Sequence, residues 1–427
     1  METLPLWDAP LAHRPVTADV RVPASKSMTN RALVLAALAD GRTEVGNPLR
    51  ARDTLLMVAG LRALGAGVDD GPDGDWLVTP PESFRGPAAV DCGLAGTVMR
   101  FLPPVAALAA GEIRFDGDPR ARERPMRPLL TALRDLGVTV DDAGRSALPF
   151  TVHGTGRVRG GVVEIDASGS SQFISAVLLA GCRYDEGVDV RSVGAALPSQ
   201  PHLDMTAAML GAAGVAVQRP APGRWVVPPQ RPRSGRLVAE PDVSNALPFA
   251  ASALVTRGRV RVIGWPTGST YQPERQARAV LAELGARLVE EDGALLVDGS
   301  GGMRGIDADL SAIGEMVPVV AAVAALADGP TTLRGVAHLR GHETDRLAAL
   351  AKEINGLGGD VEERPDGLLI RPRPLRGGVF GTYADHRLAT AGALLGLAVP
   401  GVQVEDISTT GKTLPGFVGL WTEMLAG

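Results

Sequence analysis

The hydrophobic pattern of the chain predicts a set of helices that are buried on every side. In each, an apolar segment without a polar face follows a short polar tip, as in TNRALVLAALA and EMVPVVAAVAALA. A helix that is apolar all round is surrounded by protein, so its polar residues collect at the N-terminal tip, where caps are wanted. Six such segments begin near Ser27, Gly96, Ser170, Ser244, Glu315 and Asp385.

A second pattern recurs between these helices and predicts an amphipathic helix followed by two strands. It reads as a helix, Leu-Gly, an alternating segment, a polar turn and an apolar segment, as in LRDLGVTVDD with LPFTVHG. The glycine suits a helix C′ position, which usually takes the left-handed conformation. Turn sequences such as EEDG and RPDG favour hairpins. The marker glycines recur at intervals of about 72 residues, and they are Gly65, Gly137, Gly214, Gly285 and Gly358.

The repeats predict an α/β protein with about six units, three in each of two domains. A period near 72 is too long for a solenoid and suits a compact α/β unit. EPDVSN, which contains Pro241, lies near the middle of the series and reads as a crossing between domains. PVTADVRVP, before Pro23, reads as a second crossing. We therefore expect a discontinuous domain 1 at 1–22 plus 242–427, and a domain 2 at 23–241.

Composition narrows the class of protein. The chain has 427 residues, of which 45% are hydrophobic and 21% charged, with a net charge of −5 that argues against a general nucleic-acid binder. Cys92 and Cys182 form neither a disulfide framework nor a metal-site spacing. The N-terminal segment lacks a signal-peptide pattern and no apolar stretch reads as a membrane span, so we expect a cytoplasmic protein without a membrane partner.

The polar helix tips carry residues that suit anion binding. Positive helix ends bearing Ser, Thr, Gly, Lys and Arg make good anion sites. Each residue also has a purely structural explanation: Ser170 and Ser244 could be N-caps, and Glu343 with Arg346 could be an ion pair on the surface of a helix. STTGKTLP lacks the spacing of a phosphate-binding P-loop, and no GxGxxG follows a strand. Only three of the 43 basic residues are lysines, and they are Lys26, Lys352 and Lys412.

Seven phrases in order along the whole chain resemble one family. They are PASKSMTNRALVLAALA, GLAGTVMR, RERPM, SSQF, LRGHETDRL, YADHR and GKTLPGF. Together they are similar to the 5-enolpyruvylshikimate-3-phosphate synthases, and GLAGT and RGHETDRL resemble the actinobacterial branch. The resemblance implies two domains, each of three βαβαββ units around buried parallel helices, with an interdomain cleft that closes on shikimate 3-phosphate.

The resemblance also implies a reaction. Phosphoenolpyruvate would give its enolpyruvyl group to the 5-hydroxyl of shikimate 3-phosphate and release phosphate, by addition and elimination. It implies no metal and no organic cofactor, small-molecule substrates as the partners, and a monomer. Because both substrates are polyanions, several fixed cations and helix ends would serve transition-state binding.

The family pattern assigns residues of this chain to three groups. The catalytic residues would be Glu315 as base for the 5-hydroxyl, and Glu343 or Lys26 as the proton donor to the methylene. Shikimate 3-phosphate would be held by Lys26, Ser27, Arg31, Ser170, Ser171, Gln172, Ser199, Glu315 and His342. Phosphoenolpyruvate would be held by Lys26, Gly96, Arg124, Gln172, Arg346, Arg387 and Lys412.

The sequence departs from the family pattern at several of these positions. Glu315 stands where many members have Asp, and His342 and His338 replace a frequent Lys and Asn. A histidine there could make activity more dependent on pH. Gly96 is retained, and a larger residue would crowd glyphosate beside phosphoenolpyruvate, so we expect glyphosate to inhibit.

Three alternatives stay open at this point. The sister transferase that uses UDP-N-acetylglucosamine would show a KN motif at the first helix and a catalytic Cys on a mobile loop, whereas this chain has SKSMTNR. A paralogue acting on a modified shikimate would be separated only by assay. A non-catalytic anion-binding scaffold is disfavoured because the cations, Glu315 and Glu343 are all present.

Overall fold

The structure is a computed structural model that describes residues 4–194, 197–266, 268 and 270–427. Its contacts divide the chain into two compact units. Unit 1 comprises residues 1–23 and 241–427, and unit 2 comprises residues 24–240. Residues 1–3 of the expected first domain lie outside the described residues. Both boundaries fall at prolines, Pro23 and Pro241.

Each of the six apolar segments forms a buried helix. These helices are α1 (Lys26–Leu38), α3 (Gly96–Ala106), α5 (Gln172–Gly181), α7 (Val243–Thr256), α9 (Val317–Ala325) and α11 (His386–Gly396). In α3, α9 and α11 every residue is buried. The prediction of six helices with polar tips is therefore confirmed, and burial on all sides explains why their chemistry is confined to their first turns.

Six further helices follow the buried ones along the chain. They are α2 (Arg52–Ala63), α4 (Arg127–Asp135), α6 (Gln200–Ala212), α8 (Glu274–Glu283), α10 (Arg346–Gly356) and α12 (Phe417–Ala426). Short 3₁₀ turns occupy Pro72–Gly74, Ala121–Glu123, Gly314–Met316, Ala337–Gly341 and Ile407–Lys412. All five marker glycines have positive φ, between 78° at Gly214 and 114° at Gly285. The predicted left-handed helix ends are confirmed.

Unit 2 contains three four-stranded sheets. Their strands are β3 (Thr43–Gly46), β4 (Gly67–Asp70), β5 (Trp76–Thr79), β6 (Ala88–Asp91), β7 (Ala110–Asp116), β8 (Thr139–Asp141), β9 (Phe150–Thr155), β10 (Gly161–Asp166), β11 (Val188–Val193), β12 (Gln218–Ala221), β13 (Arg224–Val227) and β14 (Arg236–Val238). The strand orders are β14-β3-β5-β4, β6-β7-β9-β8 and β10-β11-β13-β12. In each, the first two strands pair in parallel and the others are antiparallel.

Unit 1 contains two four-stranded sheets and one of three strands. Its strands are β1 (Leu6–Asp8), β2 (Thr17–Arg21), β15 (Arg259–Ile263), β16 (Arg287–Glu291), β17 (Ala294–Asp298), β18 (Asp307–Asp309), β19 (Thr331–Arg334), β20 (Asp360–Arg364), β21 (Gly367–Arg371), β22 (Gly378–Phe380) and β23 (Val402–Glu405). The orders are β16-β17-β15-β2, β18-β19-β21-β20 and β1-β23-β22.

The first strand of two repeats comes from elsewhere in the chain. N-terminal β2 pairs in parallel with β15, and β14 pairs in parallel with β3. The sixth repeat departs from the βαβαββ pattern, because β1 supplies the strand antiparallel to β23. The mixed α/β architecture otherwise follows the repeat prediction. Among the described residues, no helix is long and apolar enough to cross a membrane.

Candidate active site

In unit 1, charged side chains meet around one buried arginine. Arg346, the first residue of α10, is fully buried. Its Nε donates to Asp385 Oδ2 at 2.8 Å, and its two terminal nitrogens donate to Glu315 at 3.1 Å and Glu343 at 3.2 Å. We call this the carboxylate–cation cluster; its members are Glu315, Glu343, Arg346, Asp385, Arg387 and Lys412.

Helix caps fix the positions of these side chains. Asp345 caps α10 by accepting from the backbone N–H groups of Leu347 and Ala348, both at 3.1 Å. Asp385 caps α11 by accepting from the N–H of Arg387 at 2.9 Å. Asp385 thus caps the N-terminus of the buried helix α11 and also accepts from Arg346. It therefore links the first residues of α10 and α11.

The other two cations of the cluster are also held by acids. Lys412 is buried and its Nζ donates to Glu343 in a short ion pair. The Nε of Arg387 lies 3.6 Å from Glu315 Oε2, and one of its terminal nitrogens donates to Asn245 at 3.1 Å. The cluster therefore combines three cations with three carboxylates, and an anion that binds here must compete with these internal partners.

This arrangement shifts the pKa values of Glu315 and Arg346. Burial alone would raise the pKa of Glu315, but Arg346, His342 and Arg387 hold it well below its usual range. Burial alone would lower the pKa of Arg346, but Asp385, Glu315 and Glu343 raise it. Glu315 is therefore a carboxylate at neutral pH and can accept a proton only when its cationic neighbours are engaged elsewhere.

His342 is neutral in this setting. Burial and the charge of Arg346 lower its pKa to about 3, although Glu315 and Glu343 act in the opposite direction. Because Arg346 donates to Nδ1 at 3.2 Å, the ring proton lies on Nε2, which is free to donate to a hydroxyl. The ring of His338 packs at 5.8 Å from that of His342, and burial lowers its pKa too. With this pKa, His342 carries no charge near neutral pH.

Unit 2 carries the other candidate residues, at the tips of α1, α3 and α5. Lys26 begins α1, and its Nζ lies 3.5 Å from Asp53, a fully buried carboxylate at the start of α2. Asp53 also accepts from Arg52 at 3.3 Å. The partly buried Ser27 follows Lys26, and its carbonyl accepts from Arg31 at 3.0 Å.

Arg31 points into the protein. Its guanidinium donates to Thr206 Oγ1 at 2.8 Å and to the carbonyl of His202 at 3.2 Å. It also lies 5.0 Å from the ring of Phe101. Burial lowers its pKa to about 9. The structure thus gives this predicted substrate ligand neutral internal partners.

Gly96 and Arg124 are in close contact. A Cβ on Gly96 would lie 3.0 Å and 3.1 Å from the two terminal nitrogens of the Arg124 guanidinium. Arg124 is 6% exposed and donates to the carbonyl of Leu94 at 3.2 Å. The absence of a side chain at Gly96 therefore lets a cation lie against the N-terminus of α3, which is a favourable place for an anion.

The third helix tip brings Ser170, Ser171 and Gln172 together. Ser170 Oγ accepts from the N–H of Gln172 at 3.3 Å, and Ser171 is buried at the N-cap position. Arg100, which sequence reasoning missed, donates to Gln172 Oε1 at 2.9 Å and lies 3.4 Å from Ser170 Oγ. The sequence feature that could have identified Arg100 is its position one helical turn after Gly96.

Ser199 takes a left-handed conformation before α6, with φ of 54°. Nothing in its described contacts ties it to the α5 tip, so its assignment stays a prediction.

Two structural explanations weighed from the sequence are wrong in detail. The cap of α7 is Asp242, which accepts from the N–H of Asn245 at 2.9 Å, and not Ser244. Glu343 lies outside α10 and its partner Arg346 is fully buried, so the two are not a surface helix pair. Asn245 and Asp53 were also missed, because their partners are distant in sequence.

The two cysteines are not placed as nucleophiles. Both are buried, and burial raises the pKa of Cys92 and raises that of Cys182 to about 12. Neither thiol is therefore a thiolate at neutral pH. Among the described residues, no group of three or more His, Cys, Asp or Glu could hold a metal ion.

Comparisons with known proteins agree with one another. The family model described as EPSP synthase (3-phosphoshikimate 1-carboxyvinyltransferase) matches residues 11–421. A curated 3-phosphoshikimate 1-carboxyvinyltransferase of Kocuria rhizophila is 54% identical over 98% of this chain and 96% of its own. An EPSP synthase structure from Acinetobacter baumannii superposes with a TM-score of 0.78 at 23% identity, covering 97% of both chains.

The fold is also shared more widely. The enolpyruvyl transferase NikO from Streptomyces tendae superposes with a TM-score of 0.75 at 17% identity, covering 97% of this chain and 96% of that one. At such low identities the two solved structures show the architecture alone, whereas the family model and the curated relative decide membership. This chain belongs to the EPSP synthase family.

Proposed function

We propose that this protein transfers the enolpyruvyl group of phosphoenolpyruvate to the 5-hydroxyl of shikimate 3-phosphate and releases phosphate. It does so as a 3-phosphoshikimate 1-carboxyvinyltransferase of aromatic amino acid biosynthesis. Family membership supports the reaction. The observation on the molecule that carries it is the carboxylate–cation cluster, in which buried cations stand beside two acids able to exchange protons.

The cations of unit 1 hold phosphoenolpyruvate in this proposal. Three positively charged side chains are buried here and have little contact with water; they are Arg346, Arg387 and Lys412. Their burial strengthens their attraction for a phosphate and a carboxylate. Unit 2 contributes Lys26, Arg124 and Gln172, with the N-terminus of α3 at Gly96. The burial of Arg124, the charge of Lys26 and the family motif support these assignments.

Shikimate 3-phosphate is held mainly by residues of unit 2. Hydroxyls at the α5 tip and the amide of Gln172 can donate to phosphate oxygens. The residues proposed are Lys26, Ser27, Arg31, Ser170, Ser171, Gln172 and Ser199. From unit 1, neutral His342 can donate its Nε2 proton to a ring hydroxyl, beside Glu315.

Three proton movements accompany the reaction. Glu315, an ionised carboxylate, accepts the proton of the 5-hydroxyl as its oxygen attacks C2 of phosphoenolpyruvate. Glu343 delivers a proton to the C3 methylene, with Lys26 as the competing donor. Because Glu343 pairs with Lys412 and Arg346, an anion that takes over these cations leaves Glu343 without compensation and favours its protonation. Loss of phosphate together with one proton of the new C3 methyl group then gives the enol ether, and Glu343, which has given up its own proton, is the carboxylate that accepts this one.

The three lysines provide a matched test. We expect phosphate release from shikimate 3-phosphate and phosphoenolpyruvate by the parent, and a loss of about a hundredfold or more in Lys26→Met and Lys412→Met. Lys352→Met is the control, because its side chain is 72% exposed and contacts Tyr383 and Glu353. Release that is absent in the parent, or unchanged in Lys26→Met and Lys412→Met, would refute the proposal.

The choice of acceptor needs its own measurement. UDP-N-acetylglucosamine and shikimate lacking the 3-phosphate are offered in place of shikimate 3-phosphate under the same conditions. We expect little or no phosphate release from either, because shikimate has no phosphate for the hydroxyls of the α5 tip, and the diphosphate of UDP-N-acetylglucosamine belongs to a much larger nucleotide. Equal release with another acceptor would assign the chain to a different transferase. We further propose a cytoplasmic monomer, which size-exclusion chromatography would check.

A further inference from the structure

Asn245 joins the two segments that carry Arg387 and Lys412. It lies in the first turn of α7 and is only 2% exposed. Its Oδ1 accepts from Arg387 at 3.1 Å and from Thr413 Oγ1 at 3.3 Å, while its Nδ2 donates to the carbonyl of Thr413 at 2.9 Å. Thr413 directly follows Lys412 in the chain. A single amide thus contacts the α11 tip and the 410–413 segment.

The chemistry of this position requires an amide. Two donors, Arg387 and Thr413 Oγ1, and one acceptor, the Thr413 carbonyl, face Asn245. Only a short, planar side chain that carries both an acceptor and a donor satisfies all three. A carboxylate would set negative charge against the Thr413 carbonyl, and a hydroxyl would reach fewer partners. The reversed amide would point its N–H groups at the Arg387 guanidinium, so the contacts fix its orientation.

Side-chain hydrogen bonds and burial hold the start of α7, on which Asn245 lies. Asp242 caps α7 by accepting from the N–H of Asn245 at 2.9 Å, and Gln272 accepts from the N–H of Val243 at 3.0 Å. The helix behind is buried through Leu254. A side chain in the first turn of such a helix has a fixed position, so it can hold a partner at a fixed distance.

We infer that Asn245 is a positioning residue that sets the spacing of the Arg387 guanidinium and the Lys412 segment for phosphoenolpyruvate. Arg387 has two lateral partners: Glu315, at 3.6 Å, and the neutral Asn245. The amide orients the guanidinium without neutralising it, and through Thr413 it anchors the backbone that presents Lys412. This inference rests on the proposed function for the identity of the anion.

The test compares Asn245→Ala and Asn245→Asp with the parent. Asn245→Ala loses the hydrogen bond from the charged Arg387. We therefore expect the KM for phosphoenolpyruvate to be about tenfold higher in this variant. The KM for shikimate 3-phosphate should stay within about twofold, since none of the α5-tip contacts changes. Asn245→Asp, nearly isosteric, should raise the KM for phosphoenolpyruvate further, because its charge competes with the substrate for Arg387.

Ser252→Ala is the matched control on the same helix. Ser252 is fully buried and donates to the carbonyl of Phe249 at 2.6 Å, two turns from the tip. We expect this variant to lower the melting temperature and to leave both KM values unchanged. If the Asn245 variants also only melt lower, or if both KM values rise together, Asn245 has a structural role alone and the inference is overturned.

A binding measurement separates this inference from the proposed function. Calorimetric titration with phosphoenolpyruvate alone, with no shikimate 3-phosphate present to react with it, reports affinity without turnover. If the parent released no phosphate, the proposed function would fail, yet weaker binding by Asn245→Ala and Asn245→Asp would still support the positioning role. Unchanged affinity in both variants would overturn it whatever the activity of the parent.

Discussion

Two buried arginines, one in each unit, have opposite electrostatic surroundings. Arg346 in unit 1 donates to the carboxylates of Asp385, Glu315 and Glu343, and its pKa is raised in spite of burial. Arg31 in unit 2 donates to hydroxyls and carbonyls, and burial lowers its pKa to about 9. Within the described residues, the positive charge of Arg31 is not compensated by an acid.

The difference bears on how each unit would bind an anion. A phosphate that approaches uncompensated charge gains attraction directly, whereas one that approaches the carboxylate–cation cluster must replace carboxylates that already hold the cations. In the cluster, binding and proton transfer are therefore linked, because the displaced carboxylates are the groups that exchange protons. In unit 2, no such link follows from the contacts of Arg31 or Arg124.

The largest expected effect separates the two arginines by stability. Arg346→Met leaves three acids facing a site without their cation, and we expect a loss of about 3–5 kcal/mol in the free energy of unfolding. Arg31→Met removes hydrogen bonds to neutral acceptors, and we expect a loss of about 1–3 kcal/mol. Urea denaturation of both variants and the parent measures the difference. Equal losses would mean that the contrast in charge compensation has no energetic consequence.

A second prediction tests the link between binding and proton transfer. Glu343→Gln removes the carboxylate that competes for Lys412, so phosphoenolpyruvate should bind several-fold more tightly. The same change removes the proposed proton donor, and kcat should fall about a hundredfold or more. Calorimetry and phosphate release give the two values. Weaker binding together with normal kcat would show that Glu343 is a structural partner of Lys412.

The repeat pattern of the sequence was enough to predict most of the fold. A segment that is apolar on every face predicts a buried helix. A glycine after a helix predicts a left-handed helix end, as at Gly65 and Gly285. The exchange of first strands could be argued only from the crossing points, and the replacement by β1 in the sixth repeat had no local signal. Strand pairing between distant segments depends on tertiary contacts that no local pattern encodes.

The candidate site was predictable in its residues but not in its pairing. Helix tips and family motifs indicated Arg346, Arg387 and Lys412, because chemistry is confined to those tips. Asp385 binds the side chain of Arg346 and not that of Arg387. This pairing follows only from the placement of α10 against α11. The neutral state of His342 likewise depends on how many groups surround it, which spacing along the chain does not reveal.

A third prediction concerns the contact of Gly96 with Arg124. In Gly96→Ala, the new Cβ would meet the guanidinium at 3.0–3.1 Å, so the arginine must move by a few tenths of an ångström. We expect the KM for phosphoenolpyruvate to rise about tenfold, at the lower end of what overpacking costs. The parent should be inhibited by glyphosate in competition with phosphoenolpyruvate, and the variant should need more of it. A parent insensitive to glyphosate would contradict this prediction, as would a variant as sensitive as the parent.

The last prediction sharpens the comparison through pH. The pKa of His342 lies near 3 in the folded protein and near 6.5 when unfolded, so between these values the unfolded chain binds more protons. Stability from this group is therefore complete above about pH 6.5 and is lost as the pH falls toward 3, by at most about 1.4 kcal/mol per pH unit. His342→Asn should flatten the dependence of the unfolding free energy on pH between 4 and 6.5. Urea denaturation across that range measures it, with His13→Asn as control because His13 is exposed. Parallel curves for the parent and His342→Asn would mean that His342 takes up a proton in the folded cluster, and the acids of unit 1 would then carry more charge than its cations compensate.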